Sequence, residues 1–424
     1  MAEWKKFTNT DLPLAGVRVL SMEQAAALPF ATRHLADLGA EIIRVQSHNR
    51  PAPQLGIDAD ALRNKLQLGL DLSKPRGPET FLRVAAHCDI VAHNFTPRVM
   101  RQYGLDYEGV RAVRPDVIYV SITGFGIGGP WGERPLFGPG SEAMSGHNLL
   151  IGEPDGWPGR PPTLVYSDDT CGLNAVFAVL AALDERDRGG GGAFIDLSLY
   201  ECAVSLLGPV VAERSFGSAT PSRVGNHDHN YAVHGVFTSP GHDRHVAVSA
   251  LPDQTEALVE ALGIAGPTES QVAAALSSMD AEEAASRLRA AGIAAVVVAD
   301  ASTQAADPHL SVRGFFGLLE RRLAGIEGTY PHAGPAWGGG PGVTMTEPRP
   351  VGADSRLILR DIAGLTEAEI DALYAAGAAG EIPAPERAAP APLDSGRLGV
   401  ERGELSRVDE RPLNWPAAKP EVTR

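Results

Sequence analysis

Apolar positions in the first half of the chain fall into two alternating rhythms. Dense short runs at residues 17–20, 41–45, 89–92 and 117–121 read as buried strands. Between them, residues 30–38 and 78–87 repeat apolar side chains at three- and four-residue spacing, which predicts amphipathic helices. Gly39 suits the C-cap of the first. A long apolar helix is predicted from Tyr166 through Leu183, followed by charged residues 184–188, a glycine turn at 189–192 and a strand at 193–199. Strands separated by helices of about ten residues indicate βαβ units and a parallel sheet, whose ligands sit at the carboxyl ends of the strands.

The rhythm changes near Arg223. Residues 245–250 and 294–298 read as strands, and residues 254–262 and 281–291 as helices, which predicts a smaller α+β unit. Residues 331–350 are rich in Gly and Pro and read as a linker or wrapping arm. Residues 366–374 predict a short helix, with Thr366 and Glu369 spaced as a capping box. Beyond Glu381 the Pro-, Ala- and charge-rich tail reads as disordered, or as ordered only by a partner. The expected division is a large α/β domain at 12–215, a small domain at 223–330, a linker and C-terminal return to the large domain at 331–380, and a tail at 381–424.

Composition narrows the function. The 424 residues are 44% hydrophobic, enough for more than one core, and hold no apolar run of membrane-spanning length. The N-terminus lacks the apolar core of a signal peptide, and three cysteines in so long a chain make no disulfide framework. A cytoplasmic protein is the expectation. A net charge of −15 disfavours nucleic acid. Yet Arg33, Arg44, Arg50, Arg63, Lys65, Lys74, Arg76, Arg98 and Arg101 crowd the first quarter, a local basicity suited to a small polyanion.

The chemistry concentrates at residues 166–172, Tyr-Ser-Asp-Asp-Thr-Cys-Gly, where Asp168 and Asp169 open the long helix. Unpaired N–H groups and the helix dipole hold an anion there, keeping a carboxylate ionised and aimed as a nucleophile requires; one Asp as a mere N-cap is the plainer alternative. Residues 124–129 match GxGxxG, but the following Pro130-Trp-Gly-Glu-Arg-Pro135 does not start a helix, so a dinucleotide site is rejected and a ligand-covering loop kept. His227, His229 and His234 read as loop histidines, with no clustered Cys or carboxylate to complete a metal set. Cys171 reads as a small structural residue.

Together these segments resemble the class III CoA-transferase family, the group of formyl-CoA transferase, carnitine CoA-transferase and α-methylacyl-CoA racemase. The resemblance is carried by residues 13–20, Pro29-Phe-Ala-Thr32, 35–45, Asn64-Lys65, Asn94-Phe95-Thr-Pro97, Ser121-Ile-Thr-Gly-Phe-Gly126, and Asp168 four residues before Gly172. Later blocks are Gly225-Asn226, Ala291-Gly-Ile293, Asp307-Pro-His-Leu310 and Arg313-Gly-Phe-Phe316. It implies a large domain with a Rossmann-like core plus a small domain, in two chains interlocked as linked rings. It also implies transfer of CoA from an acyl-CoA thioester to a small carboxylic acid, with Asp168 as nucleophile and no permanently bound cofactor. Asp169 would be the helix cap. By position, Ala25 and Ala27 would offer backbone contacts to CoA, and Lys65, Asn94 and Phe95 would contact its nucleotide. Arg44 and Arg101 are added as phosphate partners on chemical grounds.

Three departures qualify the likeness. In the stretch Leu136-Phe-Gly-Pro139, Phe137 stands where the His of the racemase branch's His-Asp pair would fall, which favours transfer over α-proton exchange. Residues 222–228 match the glycine-rich lid of formyl-CoA transferase poorly, which points to an acid larger than formate. Leu66 replaces the usual Arg after Lys65, with Arg63 as a substitute cation. A racemase or a catalytically silent acyl-CoA-binding subunit are the alternatives.

Overall fold

The computed structural model describes residues 12–49, 58–159, 166–217, 223–300, 303–304, 306–321, 328–333 and 345–382. The apolar runs form one six-stranded sheet from β1 (Arg18–Met22), β2 (Glu41–Gln46), β3 (Lys65–Gly69), β4 (Ile90–His93), β5 (Ile118–Thr123) and β6 (Ala193–Ser198). Its spatial order is β3-β2-β1-β4-β5-β6, with every pairing parallel. Parallel neighbours require crossovers, and helices supply them. These are α1 (Ala27–Asp37), α2 (Asp58–Ala61), α3 (Gly77–Ala85), α4 (Pro97–Gln102), α5 (Tyr107–Val113), α6 (Gly138–Ser145), α7 (His147–Leu150) and α8 (Tyr166–Asp187). After β6 come α9 (Leu199–Ser205) and α10 (Gly208–Ser215). The order reverses between β1 and β4, so a crevice opens past their carboxyl ends.

Strand periodicity divides the core between the two sheet faces. Val19, Ile42, Ile90, Ile118 and Val120 meet α1, α8 and α9 through Ala27, Leu35, Cys171, Ala175 and Leu199. Leu20, Ile43, Leu68, Val91 and Tyr119 face the other way, onto Phe81, Val84, Met100 and Val110. That second layer is completed from the far end of the chain by Ile358, Leu359, Ile370 and Leu373, on the helices Ser355–Asp361 and Glu367–Ala375. The same segment covers the outer edge of β3. Gln67 N–H donates to Asp354, Gly69 N–H to Ser355 Oγ, Gly380 N–H to Gly69 O and Asp71 N–H to Ala378 O.

A separate antiparallel sheet, β7 (Val233–Ser239), β8 (Arg244–Ala250) and β9 (Ala294–Val297), carries α11 (Thr255–Leu262), α12 (Glu269–Leu276) and α13 (Ala281–Ala290). Its own core joins Val233, Val246 and Val248 to Leu258, Leu276 and Leu288. The two remaining strands, β10 (Phe316–Arg321) and β11 (Gly328–Ala333), form a hairpin.

Several expectations change. β3, β7 and α12 were not foreseen, and Pro331–Ala333 belong to β11 rather than to a linker. His234 lies in β7, not in a loop. Residues 334–344 of the expected arm and 383–424 of the tail lie outside the described residues. The capping box at Thr366 and Glu369 forms with both reciprocal bonds.

Candidate active site

Asp168 and Asp169 both lie inside α8 (Tyr166–Asp187), in its first turn. The expectation that Asp169 is the cap is therefore corrected. The two carboxylates differ in setting. Asp168 is buried at 5% exposure, and the backbone N–H groups of Ala27, at the start of α1, and Gly138, at the start of α6, face its carboxylate and favour the charged form. Two helix N-termini thus meet a carboxylate in the first turn of a third helix. Asp169 is half-buried, where burial raises its pKa and Arg33 opposes the rise.

Close approach at Asp168 depends on two glycines. A Cβ on Gly138 would lie 1.9 Å from Asp168 Oδ2, and one on Gly172 would lie 2.8 Å from Ala27 O. Neither position accepts a side chain without moving the site. Glu142 of α6 is fully buried behind the helix start and accepts the Ser167 N–H at 3.4 Å. Sequence reasoning missed both Gly138 and Glu142 as contributors.

Burial pushes Asp168 up to about 7; Asp169 and Glu142 add to the rise, and the N–H bonds of Ala27 and Gly138 oppose it. The helix N-terminus therefore does not keep this carboxylate fully ionised in the free protein, because desolvation outweighs two N–H bonds. Cys171, one turn on, is buried and paired with Cys202, which agrees with a structural role.

The remaining site residues separate into two groups. Ala25 and Ala27 line the segment between β1 and α1, and Asn94 follows β4 directly across the switch point. Asn94 spends its amide on one residue: Oδ1 accepts Gln24 N–H at 2.9 Å, and Nδ2 donates to Gln24 O at 2.7 Å. Phe95 is half-buried against the core layer opposite α8. Arg101 is exposed and paired with Glu133 at 2.5 Å, tying α4 to the loop that follows β5.

Lys65 and Arg44 are not on the surface. Lys65 Nζ donates to Glu23 Oε1 at 2.7 Å, Thr32 Oγ1 at 2.7 Å and Pro29 O at 3.0 Å, which uses all three of its protons. Arg44 is buried against Glu23 at 3.3 Å and donates to Gln46 and Gln67. Burial draws Lys65 down to about 8 against the pull of Glu23, whose own burial is outweighed by the two cations, so its pKa is lowered. Arg63 is likewise buried, bound to Asp37 and Asp60, so it is no free substitute cation. The basic crowd in the first quarter is in part an internal scaffold; Arg50 lies outside the described residues.

The glycine-rich loop after β5 leads away from any helix start until Gly138, as the rejection of a dinucleotide site requires. Asp196, within β6, receives Ile127 N–H on both oxygens at 3.1 and 2.9 Å and anchors that loop to the edge strand. Among the described residues no group of three or more His, Cys, Asp or Glu could hold a metal ion.

The doubly wound sheet places the buried Asp168 at the start of α8. The sequence profile of CoA-transferase family III matches residues 14–355, and the chain belongs to that family, whose members act on CoA thioesters. It is a class III, CaiB/BaiF-family CoA-transferase. It is 28% identical over 404 residues to the succinyl-CoA–L-malate CoA-transferase beta subunit of Chloroflexus aurantiacus, covering 86% of this chain and 98% of that one. It is 33% identical over 258 residues to the succinyl-CoA:glutarate CoA-transferase of Mus musculus, covering 58% of each. Among solved structures, a CaiB/BaiF family protein from Brucella suis superposes with a TM-score of 0.67 at 27% identity, covering 72% of this chain and 89% of the other.

Proposed function

We propose that this protein moves CoA from an acyl-CoA thioester to an organic acid through covalent intermediates on Asp168. The observation that carries this reading is the buried Asp168 carboxylate, packed against Gly138 at the start of α6 and faced by the N–H groups of Ala27 and Gly138. Its carboxylate attacks the thioester carbonyl, forming a mixed anhydride and releasing CoA thiolate. The thiolate then attacks the aspartyl carbonyl of the anhydride, giving an aspartyl-CoA thioester and the free donor acid. The acceptor carboxylate attacks that thioester, forms a second anhydride and expels the thiolate. Attack of the thiolate on the acceptor carbonyl yields the new acyl-CoA and restores Asp168. Dividing one hard exchange into activated steps is what a weak carboxylate acceptor needs. The same N–H groups are placed to stabilise charge on the aspartyl carbonyl oxygen as it is attacked.

The names of the relatives suggest succinyl-CoA as donor and a dicarboxylic acid such as malate or glutarate as acceptor. Racemisation lacks support, since Phe137 is exposed and Gly138 has no side chain to act as a base. The division at 12–215, 223–330, 331–380 and 381–424, the interlocked homodimer and a cytoplasmic location belong to the same reading. An apolar stripe on α8 (Leu173 at 52%, Phe177 at 75% and Leu180 at 37% exposure) supports a second copy there. No described helix is long and apolar enough to cross a membrane.

The test is mass spectrometry after incubation with a panel of acyl-CoAs including succinyl-CoA, with hydroxylamine added to one half. The expected result is a CoA or acyl adduct on Asp168, captured as the hydroxamate and absent from Asp168→Ala. Tight acyl-CoA binding without an adduct overturns the nucleophile assignment. Hydrogen exchange at the α-carbon in deuterated water would then mark a racemase, and its absence a silent binder.

A further inference from the structure

The turn from β1 into α1 is strained and held at several points. Ala25 adopts φ +53°, a left-handed conformation that is strained for an L-residue and persists only where its surroundings fix it. On one side, Asn94 clamps Gln24 through both its N–H and its C=O. Before that, Glu23 is locked between Lys65, Arg44 and Thr32 at full burial. Past Ala25, Lys65 reaches the first turn of α1 at Pro29 O and the second at Thr32. This braced turn ends at Ala27, whose carbonyl lies 2.8 Å from where a Cβ on Gly172 of α8 would stand and whose N–H faces Asp168.

We propose that Glu23, Lys65 and Asn94 are positioning residues, which hold the strained Glu23–Ala27 turn so that the Ala27 N–H meets the Asp168 carboxylate. This rests on the Asp168 reading only for its catalytic meaning; the geometry can be tested without it. It reassigns two residues carried over as nucleotide contacts. Lys65 has no proton left for a phosphate, and both polar atoms of the Asn94 amide are on Gln24. The clamp also spans the switch point, joining the residues that follow β1 and β4 at the floor of the crevice.

Two measurements separate bracing from ligand contact. The first is a carbon-13 NMR titration of the Asp168 carboxyl in Asp-labelled protein, assigned by its loss in Asp168→Asn. The second is calorimetric binding of CoA itself. The variants are Asn94→Ala, at a half-exposed position, and the charge-neutral pair Glu23→Gln with Lys65→Met. Losing the Ala27 bond should raise the Asp168 midpoint by about one pH unit in either variant, the direction that loss of a hydrogen bond to the charged form dictates. The CoA dissociation constant should change less than about threefold. An unmoved midpoint overturns the proposal, whether or not CoA binding weakens. A raised midpoint sustains it even in a protein that forms no adduct, since that outcome bears on the nucleophile and not on the brace. Should the double variant fail to fold, Asn94→Ala decides alone.

Discussion

At the scale of single residues, the proposed chemistry turns on how Asp168 is kept. Desolvation raises the carboxyl to about 7, so near neutrality only part of the free protein carries the ionised form. The rate of hydroxamate-trappable adduct formation should therefore climb between about pH 6 and pH 8 and level off above, with Asp169, Glu142 and Arg33 as the charged neighbours that set the midpoint. Single-turnover mass spectrometry across that range checks it; a flat profile would remove desolvation as the dominant influence. Stability carries the same signature with a defined sign. A carboxyl whose folded pKa lies above its unfolded value stabilises below about pH 4 and loses that contribution as pH rises to 7. Asp168→Asn should therefore melt several degrees higher than the native protein at pH 8, and no higher at pH 4, in parallel calorimetric scans. Gly138→Ala tests the geometry. Its added carbon falls 1.9 Å from Asp168 Oδ2, and a displacement of about 1 Å can cost on the order of 10²-fold in turnover. That loss in kcat should appear in a protein whose circular dichroism is unchanged.

Individual elements show where local pattern suffices and where it fails. β1, β2, β4 and β5 show as dense apolar runs because each lies inside the sheet, and β6 as the strand that follows the glycine turn after α8. β3 did not, because Lys65 and Gln67 interrupt it with polar side chains that are buried only through partners on β1, α1 and β2. Such pairing joins residues 23 to 42 positions apart and leaves no local trace. β7 was hidden by His234, Gly235 and Thr238, and α12 by a run of alanines with weak amphipathicity. At the site, Asp168 was legible from its place at a helix start. Its partners were not, since Gly138 and Ala27 lie 30 and 141 residues away. The helix Glu367–Ala375 is the opposite case, with its start written in four residues. Replacing Thr366 by Ala removes the hydroxyl that caps Glu369 N–H, and chemical denaturation should show a loss of about 1 kcal/mol.

For the whole molecule, the described fold leaves one open question of area. The outer stripe of α8 presents Leu173, Phe177 and Leu180 one turn apart on the helix that carries Asp168. If a second copy covers it, sedimentation velocity of the native protein should give a dimer, and Phe177→Glu should shift it toward monomer with falling activity. A native monomer would remove the interlocked arrangement while leaving the site intact.

The edge of β3 has a consequence for how the chain is made. Its outer hydrogen-bonding groups wait for Asp354, Ser355, Ala378 and Gly380, nearly three hundred residues downstream. On the ribosome, the parallel sheet can assemble from the first two hundred residues, yet one flank stays an open template for any other strand until the last helices emerge. A product terminated near Pro350 would therefore hold α8 and should still be prone to aggregate. Only a chain translated past residue 380 supplies every group that covers the edge of β3.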